Sequence, residues 1–246
     1  MRIGLLADLH ANRDAVDTCM EALIALGCRQ WVFLGDLVGY GADPGWVVDR
    51  VRACIDQGAL AVLGNHDEAT WTEPDDAVSA DNRVSAAWTR TQLDAAQIAF
   101  LRGLPLAVEQ DDLLYVHANA WAPAQWSYVS SPLAATRSLA ATAQWLSLCG
   151  HVHAPALYHA QGGSARYFEP RSGVPIALSS QRRWLAIPGS CGQPRDGNPA
   201  AACAWFDSDT RQIGFLRLPY DHARSAARIR EAGLPAAFAD RLERGT

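Results

Sequence analysis

The sequence predicts an α/β fold with a parallel sheet in its N-terminal part, on two observations. Short apolar runs alternate with segments of helical period, and each apolar run ends in glycine and polar residues. The first pattern is that of βαβαβ units. The second puts polar side chains at the carboxyl ends of strands, where open α/β sheets hold their ligands.

Arg2–Ala7 is the first buried strand. From Asn12 to Leu26 the residues Val16, Cys19, Met20, Leu23 and Ile24 recur at helical spacing, Asn12 is an N-cap residue, and Gly27 ends the helix. Trp31–Leu34 is a second strand, closed by Gly35-Asp36. Asp43-Pro44 supplies an N-cap and a first-turn proline for a helix to about Asp56. Leu60–Leu63 is a third strand, ending on Gly64. The stretch 73–103 breaks the alternation with two helices, the second opened by the capping box Asp94–Gln97, and is expected to form a small cap beside the site. Beyond it the chain turns β-rich. Hairpins are expected about Gln110-Asp111-Asp112 and Gly162-Gly163, strands at Trp184–Ile187, Ala201–Phe206 and Ile213–Leu218, and terminal helices at Arg224–Ala232 and Ala236–Leu242.

The 246 residues, 49% apolar and free of repeats or linkers, suit a single domain over 1–246. A net charge of −5 speaks against a stable duplex nucleic acid partner. All 21 basic residues are arginine, which excludes Schiff-base chemistry, Ser–Lys dyads and a P-loop lysine. Six scattered cysteines without a C-x-x-C pair read as buried thiols in a reducing compartment. Ile3–Ala7 is too short for a signal peptide, and no apolar run reaches membrane-spanning length. A cytoplasmic protein without membrane partners is expected.

Chemistry concentrates in six clusters at predicted strand ends: Asp8-Leu-His10, Gly35-Asp36, Gly64-Asn-His-Asp67, His117, Gly150-His-Val-His153 and Pro188-Gly-Ser-Cys-Gly192. Five of the seven histidines lie in them. Singly, an Asp-x-His or a Gly-Asp is ordinary turn chemistry. In this order, each after a strand, they supply seven candidate ligands. Carboxylate, imidazole and amide oxygen together suit Mn, Fe or Zn. On an extended segment, alternate side chains share a side, so Asp8 with His10, and His151 with His153, can converge on one location or two adjacent ones.

The series D-x-H, G-D, G-N-H-D, H, G-H-x-H, from Asp8 to His153, resembles that of the calcineurin-like metallophosphoesterases. Gly35–Gly41 and Pro188–Asp196 resemble its compact bacterial branch, loosely related to diadenosine polyphosphate hydrolases and small phosphodiesterases. The resemblance implies a four-layer αββα sandwich of two mixed sheets, and hydrolysis of a phosphodiester or phosphoanhydride by metal-activated water. It assigns one divalent ion to Asp8, His10 and His153, a second to Asn65, His117 and His151, and a bridging place to Asp36. Mn2+ is the first choice of metal, with Fe, Zn, Ni and Mg as alternatives. His66 is left as the general acid. A phosphomonoesterase or a catalytically silent protein-binding scaffold of the same fold is the alternative.

Departures narrow this. The phosphoprotein phosphatase branch has Asp and Arg where this chain has Gly39 and Tyr40, and an arginine where it has Leu63. That favours a small phosphate ester or nucleotide as substrate. Ala11 stands where glycine is commoner. Arg195 can reach a phosphate oxygen as a bidentate donor or close a loop salt bridge with Asp196. Trp71, Trp88, Trp121 and Trp126 flank the clusters, with core filling as their better reading.

Overall fold

A computed structural model of the protein describes residues 1–72 and 78–246. The predicted alternation is present as β1 (Arg2–Leu6), α1 (Arg13–Ala25), β2 (Gln30–Phe33), α2 (Pro44–Ile55) and β3 (Leu60–Ala61). A single turn, α3 (Asn65–Glu68), leads to α4 (Ala80–Gln92) and α5 (Ala95–Arg102). Then come β4 (Ala107–Gln110), β5 (Leu113–Val116), α6 (Pro132–Ala140), β6 (Leu146–Leu148), β7 (Ala156–Ala160), β8 (Ala165–Phe168), β9 (Ile176–Ala177), β10 (Arg183–Ile187), β11 (Ala201–Asp207) and β12 (Gln212–Leu218). The chain closes with α7 (His222–Glu231) and α8 (Ala236–Arg244).

Two mixed six-stranded sheets form, in the orders β3-β2-β1-β11-β12-β9 and β4-β5-β6-β10-β7-β8. In the first, β1 and β2 are parallel with Ile3 opposite Gln30, while β11 runs antiparallel to β1 with Phe206 opposite Ile3. In the second, β5, β6 and β10 are parallel and antiparallel strands close both edges. The period of two on β1 sets the layering. Ile3, Leu5 and Ala7, with Phe206 of the neighbouring β11, face the second sheet, where they meet Leu113, Tyr115, Leu148 and Ala186. Leu6 faces outward, against α1 and α2 through Val16, Cys19, Leu23 and Val47. Helix α6 covers the outer face of the other sheet with Ala135 and Leu139. Each fully buried leucine of these layers contributes about 1.5–3 kcal/mol relative to exposure. The four-layer α/β sandwich is therefore observed.

Asn12 caps α1, its side chain accepting from the Ala15 N–H, and Gly27 follows the helix at φ +86°. Asp43 occupies the N-cap position of α2 but makes no cap hydrogen bond; its carboxylate lies 3.5 Å from Arg228 instead. The capping box of α5 forms as read. In the stretch expected to be a cap, residues 73–77 lie outside those described. Of the rest, α5 packs Ile98 and Leu101 into the outer core beside α2, and α4 offers Ser85 to the Tyr40 N–H. The third strand is only two residues long, the strand implied ahead of the Gly150 cluster is β6, whose bounds the sequence reading does not give, and α3, α6 and β9 have no counterpart in that reading. Three residues, Leu-Ser-Leu, are too few for β6 to show a period. All six cysteines are free and buried. Among the described residues, no helix is long and apolar enough to cross a membrane.

Candidate dinuclear metal centre

The carboxyl ends of β1, β2, β5 and β6 meet at one edge of the sandwich, and each delivers one of the predicted clusters there. The β1 and β2 loops are stitched by backbone bonds: the N–H groups of Asp8, His10 and Ala11 donate to the carbonyls of Gly35, Asp36 and Leu37 at 2.9–3.1 Å. Left-handed backbone does the aiming. Asp8, His10, Ala11, Asp36, His151 and His153 all have φ between +45° and +68°, a region that costs a non-glycine residue roughly 1–2 kcal/mol. This corrects the expectation of extended X-x-X pairs: both members of each pair are left-handed. It also explains the glycine common at the Ala11 position.

The strain is held by the surroundings. Asp67, fully buried, accepts from the N–H groups of Leu37, Val38 and Gly64 at 2.8–3.2 Å and so ties the Asp36 loop to the Asn65-His66 turn. Gly64 is required for close approach, since a Cβ there would lie 2.2 Å from Asp36 N and Oδ1. The glycine-rich cluster after β10 braces the other side. Cys191 and Gly192 donate to the carbonyls of Ala7 and Asp8, and the Ser190 hydroxyl also donates to Asp8.

Two donor sets result. Asp8, His10, Asp36 and His153 offer ligand atoms all within 4.8 Å of one another, as do Asp36, His117 and His151. Asn65 joins the second set, its Oδ1 lying 3.2 Å from His117 Nε2. His151 and His153, two residues apart, thus serve different sets, and Asp36 is common to both. The structure brings together every ligand candidate read from the sequence.

The donor chemistry fits divalent cations. His10, His117 and His153 place Nδ1 at 3.1, 2.7 and 2.6 Å from the carbonyls of Val38, Leu34 and Gln193. Donating there leaves each Nε2 turned inward with a lone pair, the arrangement of metal-ligating imidazoles. His10 Nε2 and His153 Nε2 face each other at 3.1 Å, a contact that a cation between lone pairs relieves. Asp36 Oδ2 is buried with no hydrogen-bond partner, although it lies 3.3 Å from His117 Nε2 and 3.8 Å from His10 Nε2.

Electrostatics agree. Burial pushes His10 and His153 well below the ordinary imidazole pKa, and burial together with the nearby His117 takes His151 down to about 3. Burial opposes charge on His117 too, but the Asp36 carboxylate wins and raises it to about 9. Asp36, despite its burial, is held well below the carboxylate range by His117, His66 and His10. Unmetallated, the centre holds a proton where a cation belongs.

His66 stands apart from both donor sets. Its backbone N–H donates to Asp36 Oδ1 at 2.8 Å, and its ring is 5.1 Å from His10 and 4.3 Å from Tyr40. Burial lowers its pKa while Asp36 counteracts. A Cβ on Gly39 would meet His66 Nδ1 at 2.7 Å, so glycine there leaves room for the ring where it stands. Leu63 is buried in the outer core rather than facing the centre.

Arg195 is not bonded to Asp196, which pairs with Arg217 instead. The Arg195 guanidinium donates to the Tyr40 hydroxyl at 3.2 Å and lies 5.6 Å over its ring. Tyr40, noticed in the sequence only as a replacement for arginine, is buried between His10, His66 and Phe238. Trp71, Trp88, Trp121 and Trp126 all pack against core clusters as read. Trp126 sits at the centre, edge-on to His117 at 5.8 Å with its indole N–H on Glu68. Tyr128, which no motif marks, stacks on His151.

Fold and centre together define a metallophosphoesterase, a hydrolase of phosphate esters. The calcineurin-like phosphoesterase superfamily domain matches residues 1–211, and the chain belongs to that superfamily. Among solved structures, a metallophosphoesterase from Sphaerobacter thermophilus is similar over 100% of this chain and 99% of its own, at 32% identity and TM-score 0.86. The uncharacterized protein MJ0912 of Methanocaldococcus jannaschii is 29% identical over 98% of this chain and 96% of its own length. A symmetrical bis(5'-nucleosyl)-tetraphosphatase from Janthinobacterium is 32% identical over 49% of this chain and 45% of its own.

Proposed function

We propose that this chain is a dinuclear metal-dependent phosphoesterase that hydrolyses a phosphodiester or phosphoanhydride in a small, nucleotide-like substrate. The observation that carries the reading is the orphaned Asp36 Oδ2, buried between two histidine-bearing donor sets. A silent scaffold has no need of such an atom. In this reading Asp8, His10 and His153 hold one ion, Asn65, His117 and His151 the other, and Asp36 both, with Mn2+ as the preferred metal. Divalent cations there supply charge relief to the phosphate and acidify water.

The protein's own side chains do the rest. His66 protonates the leaving oxygen, a role open to an imidazole outside both donor sets. Arg195 donates to a phosphate oxygen, and Tyr40 orients Arg195 and His66 together. Few fixed cations face the centre. The chain has no lysine, and Leu63 is turned into the core. A dianionic monoester is therefore gripped less well than a diester or anhydride, and the tetraphosphatase relative supports that preference. The free cysteines support a cytoplasmic setting.

The test combines metal analysis with turnover of an aryl phosphodiester, the matching monoester and diadenosine tetraphosphate in Mn2+. Two ions per chain are expected, with the diester or anhydride leading. Asp36→Asn is expected to lose both ions and all turnover. Two tightly held ions at near-normal rate in that variant would refute the bridging role. A monoester lead of tenfold or more in kcat/KM, about 1.4 kcal/mol in barrier, would reverse the substrate order.

A further inference from the structure

Three aromatic side chains border the site histidines, and they differ in what their rings are free to do. Tyr40 is buried at 4% exposure and enclosed by His10, His66 and Phe238. Trp126 is partly buried, with its indole N–H committed to Glu68. Tyr128 alone is open, at 51% exposure. Its ring lies parallel to that of His151, centroids 4.1 Å apart and planes inclined by 14°. One face is therefore covered by a candidate ligand and the other is turned to solvent at the rim of the centre.

The ring is also held still. Val129, next in the chain, is fully buried. Buried Asn119 braces the preceding turn, donating to the Ser127 carbonyl at 3.0 Å and accepting from the Ala122 N–H at 2.9 Å. His151 is itself anchored, its backbone N–H donating to the Asp8 carboxylate at 3.0 Å. A rigid ring with one open face, stacked on a member of the second donor set, suits a planar group attached to a phosphate. Stacking costs little entropy when the platform is pre-ordered, and it accepts any base because every base has a π-face.

From this we infer that Tyr128 is the stacking platform for the nucleobase of a nucleotide substrate, an inference that rests on the phosphoesterase reading. Stacking uses the ring face alone, so the platform selects for a base without reading which base it is.

The test measures binding, with AMP and ribose 5-phosphate as probes that differ only in the base, by calorimetry on the manganese-loaded protein. AMP is expected to bind about tenfold more tightly, within the range for one base on one aromatic ring. Tyr128→Ala is expected to remove that preference, and Tyr128→Phe to keep it because the face remains. The ratio is taken within each variant, so a general disturbance of His151 cancels. Equal binding of the two probes by the wild type, or a preference that survives Tyr128→Ala, overturns the inference. So does a Tyr128→Phe variant as impaired as Tyr128→Ala. If no diester or anhydride is turned over and the AMP preference still depends on Tyr128, the hydrolytic reading falls and the platform stands.

Discussion

Asp36 and His66 are joined through one carboxylate: Oδ1 accepts the His66 backbone N–H at 2.8 Å, while Oδ2 has no hydrogen-bond partner. One oxygen thus fixes the turn that carries His66, and the other lies 3.3 Å from His117 Nε2 and 3.8 Å from His10 Nε2, one imidazole from each donor set. The position of His66 and the geometry of the two donor sets are coupled through a single side chain.

His66→Asn leaves that backbone bond in place and removes only the imidazole. Both ions are expected to stay, and the rate to fall by roughly 10²–10⁴-fold, the range for a positioned general acid. The loss should shrink for a nitrophenolate leaving group and be largest for an alkoxide. Rates across a leaving-group series check this, and a loss independent of leaving-group pKa would show that His66 orients the phosphate instead.

Gly64→Ala forces a Cβ into 2.2 Å contact with Asp36 N and Oδ1. The nitrogen is backbone and Oδ1 is held by the His66 N–H, so the loop must move. A loss of about 1–3 kcal/mol in stability is expected from overpacking, with metal content lost as well. Gly58→Ala is the control: its φ is +95° with nothing within 4 Å of a Cβ, so about 1 kcal/mol is lost to backbone strain alone and the ions remain. Denaturant titration with metal analysis separates the two, and metal retained in Gly64→Ala would contradict the close-approach account.

Proton release on metal binding follows from His117. Its pKa is raised from 6.5 to about 9, so at about pH 8 the metal-free protein carries a proton where a ligand lone pair is needed. Mn2+ should expel that proton, and apparent affinity should rise with pH until about 9 and then level. His10, His151 and His153, all lowered by burial, add nothing in this window. By the same sign, this proton stabilises the metal-free fold below about pH 6.5, and the contribution is lost as pH rises through about 9. Calorimetric titration in two buffers of different ionisation enthalpy reads the release; none at pH 8 would go against the assignment.

Strand–helix alternation and the ligand-bearing clusters were legible in the chain alone, because both are local. A buried strand shows as an apolar run, and its carboxyl end shows as glycine beside Asp, Asn or His. The weaker predictions failed where locality failed. β6 is three residues long and is a strand only because β5 and β10 flank it, so no period announced it. Asp43 has the identity and place of a cap, yet Arg228 from α7 draws its carboxylate away. Ala11 looked like a minor departure until its φ of +49° showed why glycine belongs there.

The sequence by itself determined which residues could hold ions and which histidine was left over, since residue type and order along successive strands carry that information. Tertiary structure alone decided how they divide. His151 and His153 separate into different donor sets because each sits in left-handed backbone, a conformation that loop-to-loop hydrogen bonds impose and no spacing encodes. It likewise decided that the open aromatic face beside the centre is Tyr128 rather than a tryptophan. Which face of a ring meets water depends on what packs against the other, and here that is His151, 23 residues further along the chain.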